Sequence, residues 1–272
     1  MKYSLKNFST LIFTSWLCLL SSCDAFDVHP YDGKISGSRN INEKNIARIE
    51  QSMRGKDTIR YAFISDSQRW YDELEAFVNH INKQKNIDFI IHGGDVSDFG
   101  LTKEFLWQRD ILEKLTLPYV VLVGNHDYLA NGDEVFRQVY GPLNFSFIAG
   151  NTKFLCLNTN ALESNYSEPI PDFNFIKQEQ LRQVGEYSNT VVTMHAQPTS
   201  EQFNNNVADL FQYSIKQFPN LLYCAHGHGH NYQGVDVFDD AILYFQTPNI
   251  GKRQYILFTI TADTYTQQLI SY

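Results

Sequence analysis

The chain has 272 residues, 43% of them hydrophobic, which suits one large domain or two small ones with a substantial core and no need of disulfide staples. A formal net charge of −8 argues against polyanion binding by surface charge alone, so no nucleic-acid surface is expected, while bound divalent cations would reverse the sign locally and keep an anionic small substrate open. The four cysteines, Cys18, Cys23, Cys156 and Cys224, are irregularly spaced with no Cys-x-x-Cys pair and indicate neither a zinc ribbon nor a disulfide framework; Cys156 and Cys224 sit in apolar runs as buried thiols would.

Lys2 and Lys6 precede an apolar run over about residues 11–20, too short for a comfortable membrane span and laid out as a secretory signal. The run closes with Leu20-Ser21-Ser22-Cys23, which resembles the bacterial lipoprotein cleavage box. The resemblance implies removal of residues 1–22, lipid on the Cys23 sulfur and new amine, and an exported chain anchored to a membrane, facing the periplasm or the cell surface. An ordinary signal peptide cut near Ala25 is the alternative. Residues 23–41 read as a polar tether carrying Pro30, Gly33 and Gly37, and residues 42–272 as one domain without a charged linker, low-complexity break or repeat.

Within that domain, Ile46, Ile49 and Met53 are spaced for a helix capped by Asn40 or Asn42. A strand over 58–64 ends in Ser65-Asp66-Ser67-Gln68, and a helix with Leu74, Phe77, Val78 and Ile81 on one face follows. A second strand, 87–91, runs into His92-Gly93-Gly94-Asp95. A helix over 101–115 leads to a third apolar run, 119–123, ending Gly124-Asn125-His126-Asp127. Strand, polar turn, helix, strand is the βαβ pattern of a parallel sheet. A helix over 133–140 is followed by strands 145–148 and 153–158, a loop 159–173 and a helix 175–184. A strand 190–194 then ends in His195, a helix spans 204–218, and a strand 221–225 ends in His226-Gly227-His228-Gly229-His230. The tail holds strands at 232–238, 241–245, 255–261 and 264–270. The predicted class is α/β, a central sandwich of mixed sheets flanked by helices.

Five apolar strands thus each end in a group able to bind a cation: Asp66, Asp95, Asn125, His195 and the His228/His230 pair. Taken singly, each is an ordinary turn or cap residue. Their recurrence at strand ends, where open α/β sheets place ligands, is what points to a site.

The ordered set Asp66-x-Gln68, Gly94-Asp95, Gly124-Asn125-His126-Asp127, His195 with Pro198 nearby, and Gly227-His228-Gly229-His230 resembles the calcineurin-like metallophosphoesterase superfamily over about residues 61–231. The resemblance implies a four-layer αββα fold and two divalent cations (Mn, Fe or Zn) that hydrolyse a phosphate ester, mono- or diester. Asp95 would bridge the two ions, Asp66 and His230 would hold the first, and Asn125, His195 and His228 the second. His126 would stabilise the phosphoryl charge or protonate the leaving oxygen. Asp98 and Asp127 are candidate partners that orient imidazoles. One position departs from the family: Gln68 stands where a histidine is usual. Its neutral amide oxygen can bind the first ion weakly, hold a bound water, or leave that site partly filled. A ligand-binding module impaired in turnover is therefore the alternative function, and nothing in the sequence names the substrate or the oligomeric state.

Overall fold

The computed structural model describes residues 33–164 and 168–272. The expected signal sequence, Cys23 and the first part of the expected tether lie outside the described residues. The elements, in order, are α1 (Ile41–Met53), β1 (Thr58–Ile64), α2 (Tyr71–Ile81), β2 (Phe89–His92), α3 (Thr102–Leu112), β3 (Tyr119–Val121), α4 (Gly132–Val139), β4 (Phe145–Ala149), β5 (Thr152–Leu157), α5 (Phe173–Leu181), β6 (Asn189–Met194), α6 (Ala208–Ile215), β7 (Leu221–His226), β8 (Gln233–Asp236), β9 (Leu243–Gln246), β10 (Gln254–Thr261) and β11 (Thr264–Ser271).

The strands form two sheets, ordered β11-β10-β1-β2-β3 and β4-β5-β6-β7-β9-β8. β1, β2 and β3 run parallel, as do β5, β6, β7 and β9, and antiparallel strands complete each sheet. The strand period of two decides the layering. In β1, Tyr61 and Phe63 enter the core between the sheets, while Ala62 and Ile64 face the helices α2, α3 and α4. In β7, Tyr223 and Ala225 face inward and Cys224 faces α5 and α6. Three apolar layers between four structural layers make an αββα sandwich. Tyr61 and Tyr223 join hydroxyls at 3.0 Å across its centre, and each ring also stacks on Phe258. Both Cys156 and Cys224 are buried free thiols.

α1 closes the side where the edge strands β3 and β4 meet. Asn42 is not its cap. It lies inside the helix, and its side-chain amide pairs with the backbone of β3, donating to Val121 O at 2.8 Å and accepting from Val121 N at 2.9 Å. An edge strand is thereby satisfied by a side chain in place of a further strand. Residues 35–40, read as tether from composition, are docked on the domain. Ile35 is buried in the helix-side core, and the buried Arg109 guanidinium on α3 donates to the carbonyls of Ser36 and Ser38. The helix expected over 204–218 shortens at both ends. Asn205 bonds the loop through Thr199 N and Ser200 O, leaving only a 3-10 turn before α6. Beyond Ile215 the chain closes in three-residue turns ahead of Pro219, which disfavours helix in the residue before it.

β5 carries a fully buried lysine on its helix-facing side. Lys153 Nζ lies 2.7 Å from the Glu179 carboxylate on α5 and donates to the Glu179 and Arg182 carbonyls. Burial alone would raise the Glu179 carboxyl, but Lys153, Ser146 and Arg182 hold it below its usual value. Lys153→Met should lower unfolding stability by roughly 3–5 kcal/mol by taking the buried cation from beside the Glu179 carboxylate and leaving it with Ser146 and the exposed Arg182, whereas Lys153→Met combined with Glu179→Leu should recover most of that loss; denaturant titration of both variants measures it. The sign with pH follows from the depressed carboxyl: the pair's contribution is present above the ordinary glutamate range and is lost as pH falls from that range through the lower value the carboxyl has in the folded protein.

Candidate metal centre

The carboxyl ends of the parallel strands in both sheets meet at one edge of the sandwich, stitched by bonds that cross between sheets. His195, directly after β6, directs Nδ1 at Gly93 O beyond β2 at 2.8 Å. His228 N, beyond β7, donates to Asp66 Oδ2 beyond β1 at 3.1 Å. Thr247 Oγ1 reaches Phe63 O at 3.3 Å. Glycine lets the segments approach this closely: a Cβ on Gly124 would collide with the Asp95 side chain and backbone, and one on Gly227 with Ser65 and Asp66.

All seven residues that the sequence marks as possible ligands fall at this edge. Donor atoms of Asp66, Asp95 and His195 lie within 4.8 Å of one another, all three residues buried. His195 Nε2 is 3.3 Å from Asp95 Oδ2 and 3.0 Å from Asn125 Oδ1. His228 Nδ1 is 3.1 Å from the same Asn125 oxygen. His230 Nε2 is 3.2 Å from Asp66 Oδ1, and Gln68 Nε2 is 3.4 Å from Asp95 Oδ2. Asp66, Asp95, His228 and His230 all have left-handed backbones, φ 56°, 60°, 67° and 60°. Such strain in non-glycine residues, on the order of 1–3 kcal/mol each, persists only where surrounding structure enforces it.

Behind these residues lies a layer of supporting contacts. Asp127 hydrogen-bonds no imidazole among the described residues, contrary to the role expected of it. It is fully buried and clamps two loops: Oδ2 accepts from Asp95 N and Gly124 N at 3.0 and 2.9 Å, and Oδ1 from Val96 N, Ser97 N and Ser97 Oγ at 2.8–3.0 Å. Burial and then the Asp95 charge raise its carboxyl to about 7, opposed by those donors. Glu104, at the start of α3, accepts from the backbones of Asp98, Phe99 and Leu101. His92 accepts from Gly94 N at Nδ1 and meets Ser67 Oγ at Nε2, 2.7 Å, and Ser67 in turn bonds Gln108. Burial lowers His92 to about 4, so the ring is neutral, as those two bonds require. His226 is buried and bonds the Gly227 carbonyl.

His126 stands at the mouth of the centre. Its backbone N donates to Asp95 Oδ1 and its Nδ1 to the Asp98 carbonyl at 2.8 Å, leaving Nε2 without a protein partner among the described residues. Asp98 thus orients this imidazole through its main chain, while its carboxylate pairs with Arg69. Trp70 packs over Gly251 and Tyr71 against Trp107, so of the three residues after the first motif only Arg69 reaches the second-motif loop. Sequence reasoning missed Glu104, Gln108 and a further carboxylate, Glu201, whose Oε1 lies 2.8 Å from His228 Nε2. No local pattern marks any of them.

The donor set fits cations. Gln68 Oε1 is buried with no hydrogen-bond partner among the described residues, and the buried Asp66 Oδ1 faces the His230 imidazole at 3.2 Å without a well-directed hydrogen bond. His195 Nδ1 faces a carbonyl and His228 Nε2 a carboxylate, so neutral rings carry their hydrogens there. Their other nitrogens would then present lone pairs to the Asn125 oxygen, an arrangement relieved by a proton or a cation between them. Burial alone would lower His195, but Asp95 and Asp66 raise it to about 9. Burial would raise Asp66, but His230 and His195 hold it at about 2. The pocket is electrostatically short of cations.

The sequence model of the calcineurin-like phosphoesterases matches residues 59–232. The fold is similar to that of a dimetal phosphatase from Danio rerio, with a TM-score of 0.57 and 10% identity over 79% of this chain and 99% of that one. It is also similar to that of GAP50, the anchor in the inner membrane complex of Plasmodium, with a TM-score of 0.59 and 11% identity over 79% and 85% of the two chains. Among curated proteins, the uncharacterized protein YvnB of Bacillus subtilis is 27% identical over 97 residues, 32% of this chain. The match spans only 8% of YvnB's length.

The clamp gives a direct test of how the centre is built. Asp127→Asn turns one acceptor into an amide facing backbone N–H groups, and should cost about 1–3 kcal/mol of stability in chemical denaturation, because buried donors lose their partner.

Proposed function

Because the chain belongs to the calcineurin-like phosphoesterase family, we propose that it hydrolyses phosphate esters at this centre with two divalent cations. The observation that carries the reading is the convergence of acceptor groups around Asp95: the buried, unpartnered Gln68 Oε1, the buried Asp66 carboxylate facing His230, and the Asn125 oxygen that both His195 and His228 face. Asp66, Gln68 and His230 would hold one ion, Asn125, His195 and His228 the other, and Asp95 both. Imidazole, carboxylate and amide donors together suit Mn, Fe or Zn, and the neutral Gln68 oxygen makes the first site the weaker. Bound there, the ions would supply positive charge for the phosphoryl oxygens and a nucleophile drawn from water at neutral pH.

The protein's own groups do the rest. Asp95 is held by Gln68 and the His126 backbone, so its two oxygens keep their directions as charge builds at the centre. His126 carries the hydrogen of its neutral ring on Nδ1, against the Asp98 carbonyl. A second proton would sit on Nε2, available to the departing alkoxide, and the imidazolium would meet the phosphoryl charge. The half-exposed His126 places that proton at the solvent side of the pocket, where a leaving group exits.

For its location we propose an exported lipoprotein tethered through Cys23. The support is the cleavage-box sequence, which lies outside the described residues; no helix of the described residues is long and apolar enough to cross a membrane.

Protein loaded with Mn2+ should turn over aryl phosphate mono- or diesters and lose activity to a chelator; no turnover of any phosphate ester by the loaded protein would sink the reading. Asp95→Asn should abolish both turnover and paired-ion binding in elemental analysis. His126→Ala should keep its ions but lose about 10²–10⁴-fold in kcat. Cys23→Ser should move the protein from the membrane to the soluble fraction, with loss of the lipid mass at residue 23.

A further inference from the structure

Resting on that reading of the centre, we infer that Glu201 is a positioning residue that selects the cation-binding tautomer of His228. The loop from His195 to α6 carries Glu201 over the edge of the site, where its Oε1 lies 2.8 Å from His228 Nε2. A carboxylate can only accept, so a neutral His228 must carry its hydrogen on Nε2 and keep its lone pair on Nδ1. Nδ1 is the nitrogen that faces Asn125 Oδ1, 3.1 Å away.

The other histidine of this half of the site has the same arrangement built differently. The His195 ring is completely buried, and a backbone carbonyl, Gly93 O, fixes its tautomer so that Nε2 faces the same Asn125 oxygen. Among the described residues no carbonyl does this for His228, whose ring nitrogens face Asn125 and Glu201. Its backbone is left-handed, it follows Gly227 and precedes Gly229, and its side chain is partly open to solvent. The ring would be free to turn or to exchange tautomers without an external partner, and Glu201 is that partner. A carboxylate on the far nitrogen also fixes the direction in which the near nitrogen points.

Glu201 is held by its surroundings. The neighbouring Gln202 is buried, and its carbonyl accepts from Ala161 N and Leu162 N at 2.9 and 3.2 Å, while Asn205 fixes Thr199 N and Ser200 O. The loop is pinned on both sides of Glu201 while Glu201 itself stays largely exposed. Its replacement therefore removes the carboxylate without opening the core.

Two readouts on Glu201→Ala and Glu201→Gln test the assignment. Nitrogen NMR of the metal-free protein under conditions where His228 is neutral should show the Nε2–H tautomer in the wild type, a mixture in Glu201→Ala, and intermediate behaviour in Glu201→Gln, whose amide oxygen can still accept. Calorimetric titration with Mn2+ should show one of two sites weakened by about tenfold to a hundredfold in Glu201→Ala, with partial rescue by Gln. Unchanged tautomer populations in Glu201→Ala, or Mn2+ binding equal to wild type at both sites, would overturn it. The tautomer measurement needs neither cation nor substrate, so a failure of the hydrolase reading is seen separately, as absent turnover by the wild type.

Discussion

Two buried carboxylates, Asp66 and Asp95, have ligand atoms within 4.8 Å of each other and of His195, and that crowding is the constraint on which the remaining architecture depends. Like charges at this separation repel by about 3–4 kcal/mol even at an effective dielectric of 20. A fold keeps such a pair only if something positive is held between its members and if the chain cannot relax away from it. The second condition is visible everywhere around the site. Left-handed backbones at four of the candidate ligands, glycines that a Cβ would push apart, and the Asp127 clamp on two loops all oppose relaxation.

The two halves of the centre are built with different rigidity. The Asn125–His195 side rests on a buried ring locked to Gly93, and its second imidazole, His228, is braced from outside by Glu201. The Asp66–His230 side offers a half-exposed imidazole and, at Gln68, an uncharged oxygen. Preorganisation favours the first of these halves for cation binding, whereas the Asp66 carboxylate gives the second half the greater negative charge, and the departure at Gln68 bears on that second half alone. Beneath both halves the satisfied His92–Ser67–Gln108 network fixes the turn that presents Asp66 and Gln68. Its low-dielectric setting makes these bonds strong and their loss costly.

Distance from the chemistry does not mean independence from it. Both sheets must keep their register for their strand ends to meet, and that register is set by what lies between and outside them. The Tyr61–Tyr223 pair spans the sandwich core, Lys153 and Glu179 pin α5 to β5, and Asn42 seals the edge of β3. A shift of one residue in β2 or β7 would invert which side chains face the core and carry Asp95 or His228 away from the centre.

The primary sequence by itself determined the strands, the helix faces and the identity of the candidate ligands. Those depend on short-range quantities: period-two and period-3.6 burial, and turn residues immediately after apolar runs. It marked Asp66, Asp95, Asn125, His195 and the His228/His230 pair because each of these five follows its own strand. Only the tertiary structure decided which groups support them. Asp127 bonds backbone, not an imidazole; Asn42 pairs with a strand and does not cap; residues 35–40 dock where composition suggested a free tether; Glu201 reaches His228 from a loop with no motif of its own. These roles are partnerships between segments far apart in the chain. A hydrogen bond's partner is a property of the folded positions of both groups, and nothing in the residues flanking either one encodes it.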